Sequence, residues 1–117
     1  VIYRKPKRTV RTGPEQRGAN RLMIYMRARG WTCMKLGGGK FTVGWPDYYC
    51  FHKAYGHRWI EMKKPGGEIR QSQIKRFTDL NKAGDKVFVL RDERDYPVIF
   101  KEQDNWGMFI KMPKRVL

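Results

Sequence analysis

Acidic residues are scarce in this chain. Asp and Glu number 11 against 26 Lys and Arg, a formal charge of +15 over 117 residues. A compact chain with that balance repels itself. An acidic polymer relieves the repulsion, so nucleic acid is the default partner. Long apolar runs are missing too. The longest is Leu22-Met23-Ile24-Tyr25-Met26, far short of the roughly 20 residues of a membrane-spanning helix. No basic amphipathic helix shows an aromatic face, so no membrane partner is expected. No charged segment leads into an apolar one as a secretory leader would, and a cytoplasmic location is expected. Cysteine is sparse: Cys33 and Cys50 lack a Cys-x-x-Cys spacing, which suits a reducing compartment and unpaired thiols. Repeats and low-complexity segments are absent. What is present is a 40% hydrophobic and 14% aromatic composition. That is too rich for disorder and sufficient for one domain with its own core.

Residues 1 to 13 hold Arg4, Lys5, Lys7, Arg8 and Arg11 and no acid. They read as a flexible basic arm that lies along phosphates, or as a solvated tail. The rest, 14 to 117, reads as one domain. A helix is expected from Pro14, with Thr12 or Gly13 as its cap and Gly30 after its end. Ala19, Leu22, Met23 and Met26 recur at helical spacing and make its buried face. Strands are expected over 31–36, 47–52 and 57–63, the last two as an antiparallel hairpin. A second helix over 71–83 turns Ile74, Phe77 and Leu80 inward and stops at Gly84. An apolar strand over 86–90 follows, so strand, helix and strand form a parallel crossover, right-handed by rule. Residues 98–100 and 108–110 read as one further hairpin around Gln103-Asp104-Asn105-Trp106-Gly107.

The placement of the acids says more than their number. Residues 1 to 67 hold fifteen Lys and Arg and only three acids, Glu15, Asp47 and Glu61. A carboxylate in a half that faces phosphate repels its partner unless a cation sits between them. Mg²⁺ takes one or two carboxylates, waters and substrate phosphates. Glu61 and Lys63 share a strand face, and Asp47 joins them if it lies opposite 61 or 63. Each acid has a plainer reading. Glu15 in a first helical turn suits the helix dipole. Asp47 after a proline suits a turn. Glu61 beside Lys63 and Lys64 suits a charged edge strand.

Gly44-Trp45-Pro46-Asp47 followed by Ile60-Glu61-Met62-Lys63 resembles the Pro-Asp…(Asp/Glu)-x-Lys signature of restriction-endonuclease-like nucleases. The closer resemblance is to the virus-type replication-repair nuclease (VRR-NUC) family. That family has a Gly-x-Pro-Asp turn, an Ile-Glu-x-Lys strand and a glutamine after a Leu-Ser-Pro-like lead-in. Here Ile69-Arg70-Gln71-Ser72 leads to Gln73. Ala83-Gly84 and Val87-Phe88-Val89 match the family's ending, and Glu15 its early helical glutamate. The resemblance covers about residues 14 to 91. It departs at Arg70 and Gln71, where Ser-Pro is usual, and leaves 92–117 unplaced.

The resemblance implies an α/β (α+β) fold: an αβββαβ core with a mixed central sheet flanked by helices. It implies a Mg²⁺-dependent endodeoxyribonuclease, with Mn²⁺ as the alternative ion. The stand-alone phage type acts as a homodimer on branched DNA such as Holliday junctions, in the bacterial host cytoplasm. Asp47, Glu61 and the Met62 carbonyl would hold the metal, with Glu15 direct or through water. Lys63 would orient or deprotonate the attacking water, and its cation would meet developing charge. Gln73 would hydrogen-bond Lys63 or the water; its plainer reading is a polar helix-start residue. Phosphate contacts would come from Arg4, Lys5, Lys7, Arg8, Lys35, Lys40 and Lys64. Trp45 would stack on an opened base, or simply pack.

Cys33, Cys50, His52 and His57 lack the close pairs of a zinc site, although Cys50 and His52 share a strand face. Rival readings are a non-catalytic DNA- or RNA-binding module on the same fold and a structural basic protein. A related junction resolvase family would share the chemistry and differ in substrate. Neither non-enzymatic reading explains why the first three acids all fall at motif positions.

Overall fold

Side chains that point alternately to the two faces of the strands build a sheet with two different coats. The computed structural model of the protein describes residues 14–36 and 40–110, without the side chains of 14–16 and 40. The basic arm, the Gly37–Gly39 run and residues 111–117 lie outside the described residues. The element order is α1 (Pro14–Ala28), β1 (Thr32–Lys35), β2 (Tyr48–His52), β3 (Gly56–Met62), α2 (Gln71–Lys82) and β4 (Val87–Leu90). The strands form one sheet in the order β1-β2-β3-β4. β1–β2 and β2–β3 are antiparallel and β3–β4 is parallel, so the fold is α+β with a mixed sheet. Each of these elements falls within one residue of its expected bounds.

α1 forms because its apolar residues return every three or four positions. Leu22 and Met26 are fully buried against Tyr48, Cys50, Ile60, Phe88 and Leu90. The helix ends where Gly30 adopts a left-handed φ of 89°, a conformation glycine enters without a Cβ clash. Gly18 is inside α1, and a Cβ there would meet Met62 Cε at an ordinary 3.9 Å. Close packing therefore does not require this glycine.

α2 covers the opposite face. Its Phe77 and Leu80 pack on Val87 and Val89. β4 thus sends Val87 and Val89 towards α2 and Phe88 and Leu90 towards α1, and every one of its residues is buried. This double coat explains why β4 is continuously apolar. The register also places Arg58 on the α1 side, where it is 2% exposed. Its Nε donates to the Ile99 carbonyl at 2.9 Å and its Nη2 to the Lys101 carbonyl at 3.3 Å. The buried guanidinium so ties the following segment to the sheet.

That segment corrects the expected hairpin. Residues 98–100 and 108–110 do not pair as strands. They fall in and beside the 3₁₀ segments Glu93–Phe100 and Trp106–Phe109. The reason lies in what the side chains bury. Tyr96 and Ile99 enter the α1-side core, and Trp106 enters the α2-side core. Pro97, which has no N–H to donate to a ladder, sits inside the first segment. Between them, Asp104 and Asn105 treat the free edge of β4 as a fifth strand would. Asp104 Oδ2 accepts the Val87 N–H at 2.8 Å. Asn105 Oδ1 accepts the Val89 N–H at 2.7 Å, and its Nδ2 donates to the Val89 carbonyl at 3.0 Å. With the Val87 and Val89 N–H groups and the Val89 carbonyl occupied, this edge no longer offers a full ladder to another strand. Residues 92–110 are thereby part of the domain's packing. Among the described residues, no helix is long and apolar enough to cross a membrane.

Replacing Asn105 by Ala leaves the outward N–H and C=O of Val89 without these partners. The expected loss is about 1–3 kcal/mol for the orphaned pair, read as a lower denaturant midpoint. Asn105→Asp keeps the acceptor and should lose less. Equal stability of Asn105→Ala and the unaltered protein would remove the edge-capping role.

Candidate active site

Strand register assembles the site. Tyr48 lies opposite Ile60, and the same register carried one residue further sets Asp47 opposite Glu61. The Lys63 N–H donates to the Leu90 carbonyl at 2.9 Å and prolongs the ladder past Met62. Asp47, Glu61 and Lys63 therefore share the face that α2 covers. Because β3 lies between β2 and β4, the edge-strand reading of Glu61 does not hold. Gly44 brings the approach to Asp47 close to α2. Its φ is 83°, and a Cβ there would stand 2.7 Å from the Ser72 carbonyl oxygen.

The Glu61 carboxylate is 4% exposed. Its Oε2 accepts from Gln73 Nε2 at 2.9 Å and from Lys63 Nζ at 3.1 Å. Lys63 Nζ also donates to Gln73 Oε1 at 3.0 Å, which accepts the Arg70 N–H at 3.0 Å as well. The second of those acceptances is a helix-start contact, so the plain reading of Gln73 holds. The first is the contact with Lys63 that the resemblance implies, and the same amide turns its nitrogen to Glu61, which was not expected. Asp47 Oδ2 accepts the Met62 N–H at 2.7 Å, which pins the carboxylate beside the residue between Glu61 and Lys63.

One oxygen is left over. Glu61 Oε1 is buried with no hydrogen-bond partner. Burial, and then the negative charge of Asp47, push the Glu61 carboxyl up to about 7, against the opposing pull of Lys63 and Gln73. An unpartnered carboxylate oxygen beside a second carboxylate is relieved by a cation, and an all-oxygen donor set suits a hard divalent ion. Asp47 and Glu61 therefore fit a divalent metal. Among the described residues no group of three or more His, Cys, Asp or Glu side chains converges on a point. Glu15 stands in the first turn of α1, and its side chain lies outside the described residues.

The chain matches no protein-family model, no curated protein and no solved structure.

Asp47, Glu61, Met62, Lys63 and Gln73 all line a cleft of about 1320 Å³. Of the expected contact residues, Lys35, Trp45 and Lys64 line it too. Lys40 begins a short 3₁₀ turn, but its side chain, like Arg4, Lys5, Lys7 and Arg8, lies outside the described residues. Trp45 is half-buried, with Trp59 at 5.4 Å and the Arg76 guanidinium 4.5 Å above its ring.

Sequence reasoning missed Arg21, Arg70, Arg91 and Arg94, which also line the cleft. Arg21 pairs with Glu93 at 2.9 Å and Arg94 with Asp92 at 3.0 Å. No local pattern joins residues so far apart in sequence. The zinc reading fails geometrically. His57 faces away from Cys50 and His52, and His52 is occupied by the Ala54 N–H and the Arg29 carbonyl. Cys33 and Cys50 are cross-strand neighbours with free thiols.

A carboxyl raised from 4.5 to about 7 on folding binds more protons folded than unfolded in that interval. Its contribution to stability is complete below about pH 4.5 and is lost as pH rises through about 7. In chelator, stability should therefore fall across this window by about 3 kcal/mol. Glu61→Gln should flatten that slope and melt higher than the unaltered protein at pH 8. Parallel pH profiles for the two proteins would show that Glu61 is not the group responsible.

Proposed function

We propose that the chain is a metal-dependent, structure-selective DNA endonuclease that hydrolyses phosphodiester bonds. Its restriction-endonuclease-like core would be of the VRR-NUC type, working as a homodimer on branched DNA such as Holliday junctions. One observation carries this reading. Asp47, Glu61, Lys63 and Gln73 meet on one sheet face inside a cleft edged by Lys and Arg, with Glu61 Oε1 left unpartnered.

Asp47, Glu61 and the Met62 carbonyl would hold Mg²⁺ or Mn²⁺, with Glu15 as a further ligand. The bound ion would lower the pKa of a water and neutralise phosphate charge. The chain's own residues do the rest. Gln73 fixes Lys63 Nζ at 3.0 Å and Glu61 at 2.9 Å, so both enter the reaction already oriented. Lys63 orients the water or takes its proton, and as a cation it offsets charge that develops on the phosphorus oxygens. Lys35, Lys64 and Arg70 at the cleft edge supply phosphate contacts, which position the backbone without reading sequence. Burial excludes water from around Glu61 and strengthens each of these interactions.

The test is cleavage of an end-labelled four-way DNA junction in Mg²⁺, with EDTA and linear duplex as controls. Symmetric cuts on the junction, abolished by EDTA, are expected. Glu61→Ala and Lys63→Met should each cost roughly 100-fold or more in rate while the junction is still bound. Tight binding of junction and duplex without metal-dependent cleavage of either would replace the enzyme by a DNA-binding module.

A further inference from the structure

The face that carries Asp47 and Glu61 continues outward as a row of aromatic rings. Two residues along the ladder from that pair, Tyr49 lies opposite Trp59. Two further on, Phe51 lies opposite His57. Each step is roughly 7 Å along the strands. The rings touch in sequence. Trp45, at the cleft, is 5.4 Å from Trp59; Trp59 is 4.9 Å from Tyr49; Tyr49 is 5.7 Å from His57 and 6.3 Å from Phe51.

α2 covers this face only over β3 and β4. Over β1 and β2 it is open in part. Phe51 is 46% exposed and Met34, beside Tyr49, is 59% exposed. A stable domain does not leave aromatic rings on an open sheet without reason, since the hydrophobic effect favours covering them.

We infer that this row is a stacking track for an unpaired DNA strand leaving the cleft. It rests on the reading of the chain as a DNA-acting protein. Three observations select this occupant. The track begins at Trp45, which lines the cleft, so a strand held at the acid pair meets the rings without a gap. A chain of charge +15 attracts a polyanion. Arg76 lies over Trp45, and its buried Nε has no hydrogen-bond partner, which places a cation beside the first ring. Every base has a π-face, so rings in series bind an unpaired strand whatever its sequence, and basic groups alongside hold its phosphates. Paired bases stack on each other and offer the row nothing. The track therefore discriminates between open and closed DNA at a distance from the chemistry.

The experiment measures anisotropy of a labelled single-stranded oligodeoxythymidine and of a blunt duplex, in EDTA and at fixed salt. Phe51→Ala and Tyr49→Ala should each weaken the single strand roughly tenfold and leave the duplex within about twofold. Phe51→Trp should bind like the unaltered protein. Thermal melts establish that each variant is folded. Phe51 is exposed enough to decide the matter if Tyr49→Ala is not. Cleavage plays no part in this readout, so a chain without nuclease activity can still pass or fail it. Equal losses on both DNAs, or no loss on the single strand, would overturn the track. So would sedimentation showing that Phe51→Ala splits a dimer while single-strand affinity is kept, since a second copy would then be the occupant.

Discussion

Asp47 reaches Glu61 because Tyr48 pairs with Ile60. Side chains alternate along a strand, so a slip of one residue would carry Asp47 to the α1 side and leave Glu61 alone. It would also drive Tyr49 into the core and expose Tyr48. The buried set Tyr48, Cys50, Arg58 and Ile60 therefore locks the register from one face. The carboxylate pair and the aromatic row are the consequence on the other. Core packing on the α1 side and the carboxylate pair on the α2 side are two results of one pairing.

The same register gives Arg58 its place. A guanidinium at 2% exposure needs acceptors, and it finds them in the carbonyls of Ile99 and Lys101. Those contacts hold the segment that carries Asp104 and Asn105 to the β4 edge. A sheet that starts with an exposed β1 edge thus ends on a capped one. The outer end of the sheet stays available on the side of β1 and β2, where the ladder leads away from the cleft.

Glu61 is held by contacts that leave its energy high. Lys63 and Gln73 satisfy Oε2, yet Oε1 stays buried without a partner and Asp47 adds like charge. A purely structural carboxylate would be expected to satisfy both oxygens, because a desolvated unpaired acceptor costs about 1–3 kcal/mol. A buried carboxylate left partly unsatisfied in a cleft edged by Lys and Arg is a candidate functional site on physical grounds. The basic surroundings that disfavour acids elsewhere in the first half of the chain make this exception the more specific.

Much of this was legible in the residues. Helical spacing located α1 and α2, a Tyr- and Phe-rich run and a short turn located β2 and β3, and the rarity of acids singled out Asp47 and Glu61. Lys63 followed from its spacing two residues beyond Glu61 on the strand, whereas Gln73 was singled out only by the family resemblance. These signals are local, and local periodicity reports the face on which a side chain lies. The C-terminal segment was misread as a hairpin because the contacts that shape it are long-range: Ile99 with Arg58, and Asn105 with Val89. Arg21, Arg91 and Arg94 were missed for the same reason, since only folding brings α1 and the residues after β4 to one cleft. The sequence by itself determined the secondary elements, the charge and the candidate acids, which depend on neighbours a few residues apart. Tertiary structure alone decided the capped β4 edge, the unpartnered oxygen of Glu61 and the partly uncovered aromatic row. Each of these depends on which surfaces remain after distant segments have packed.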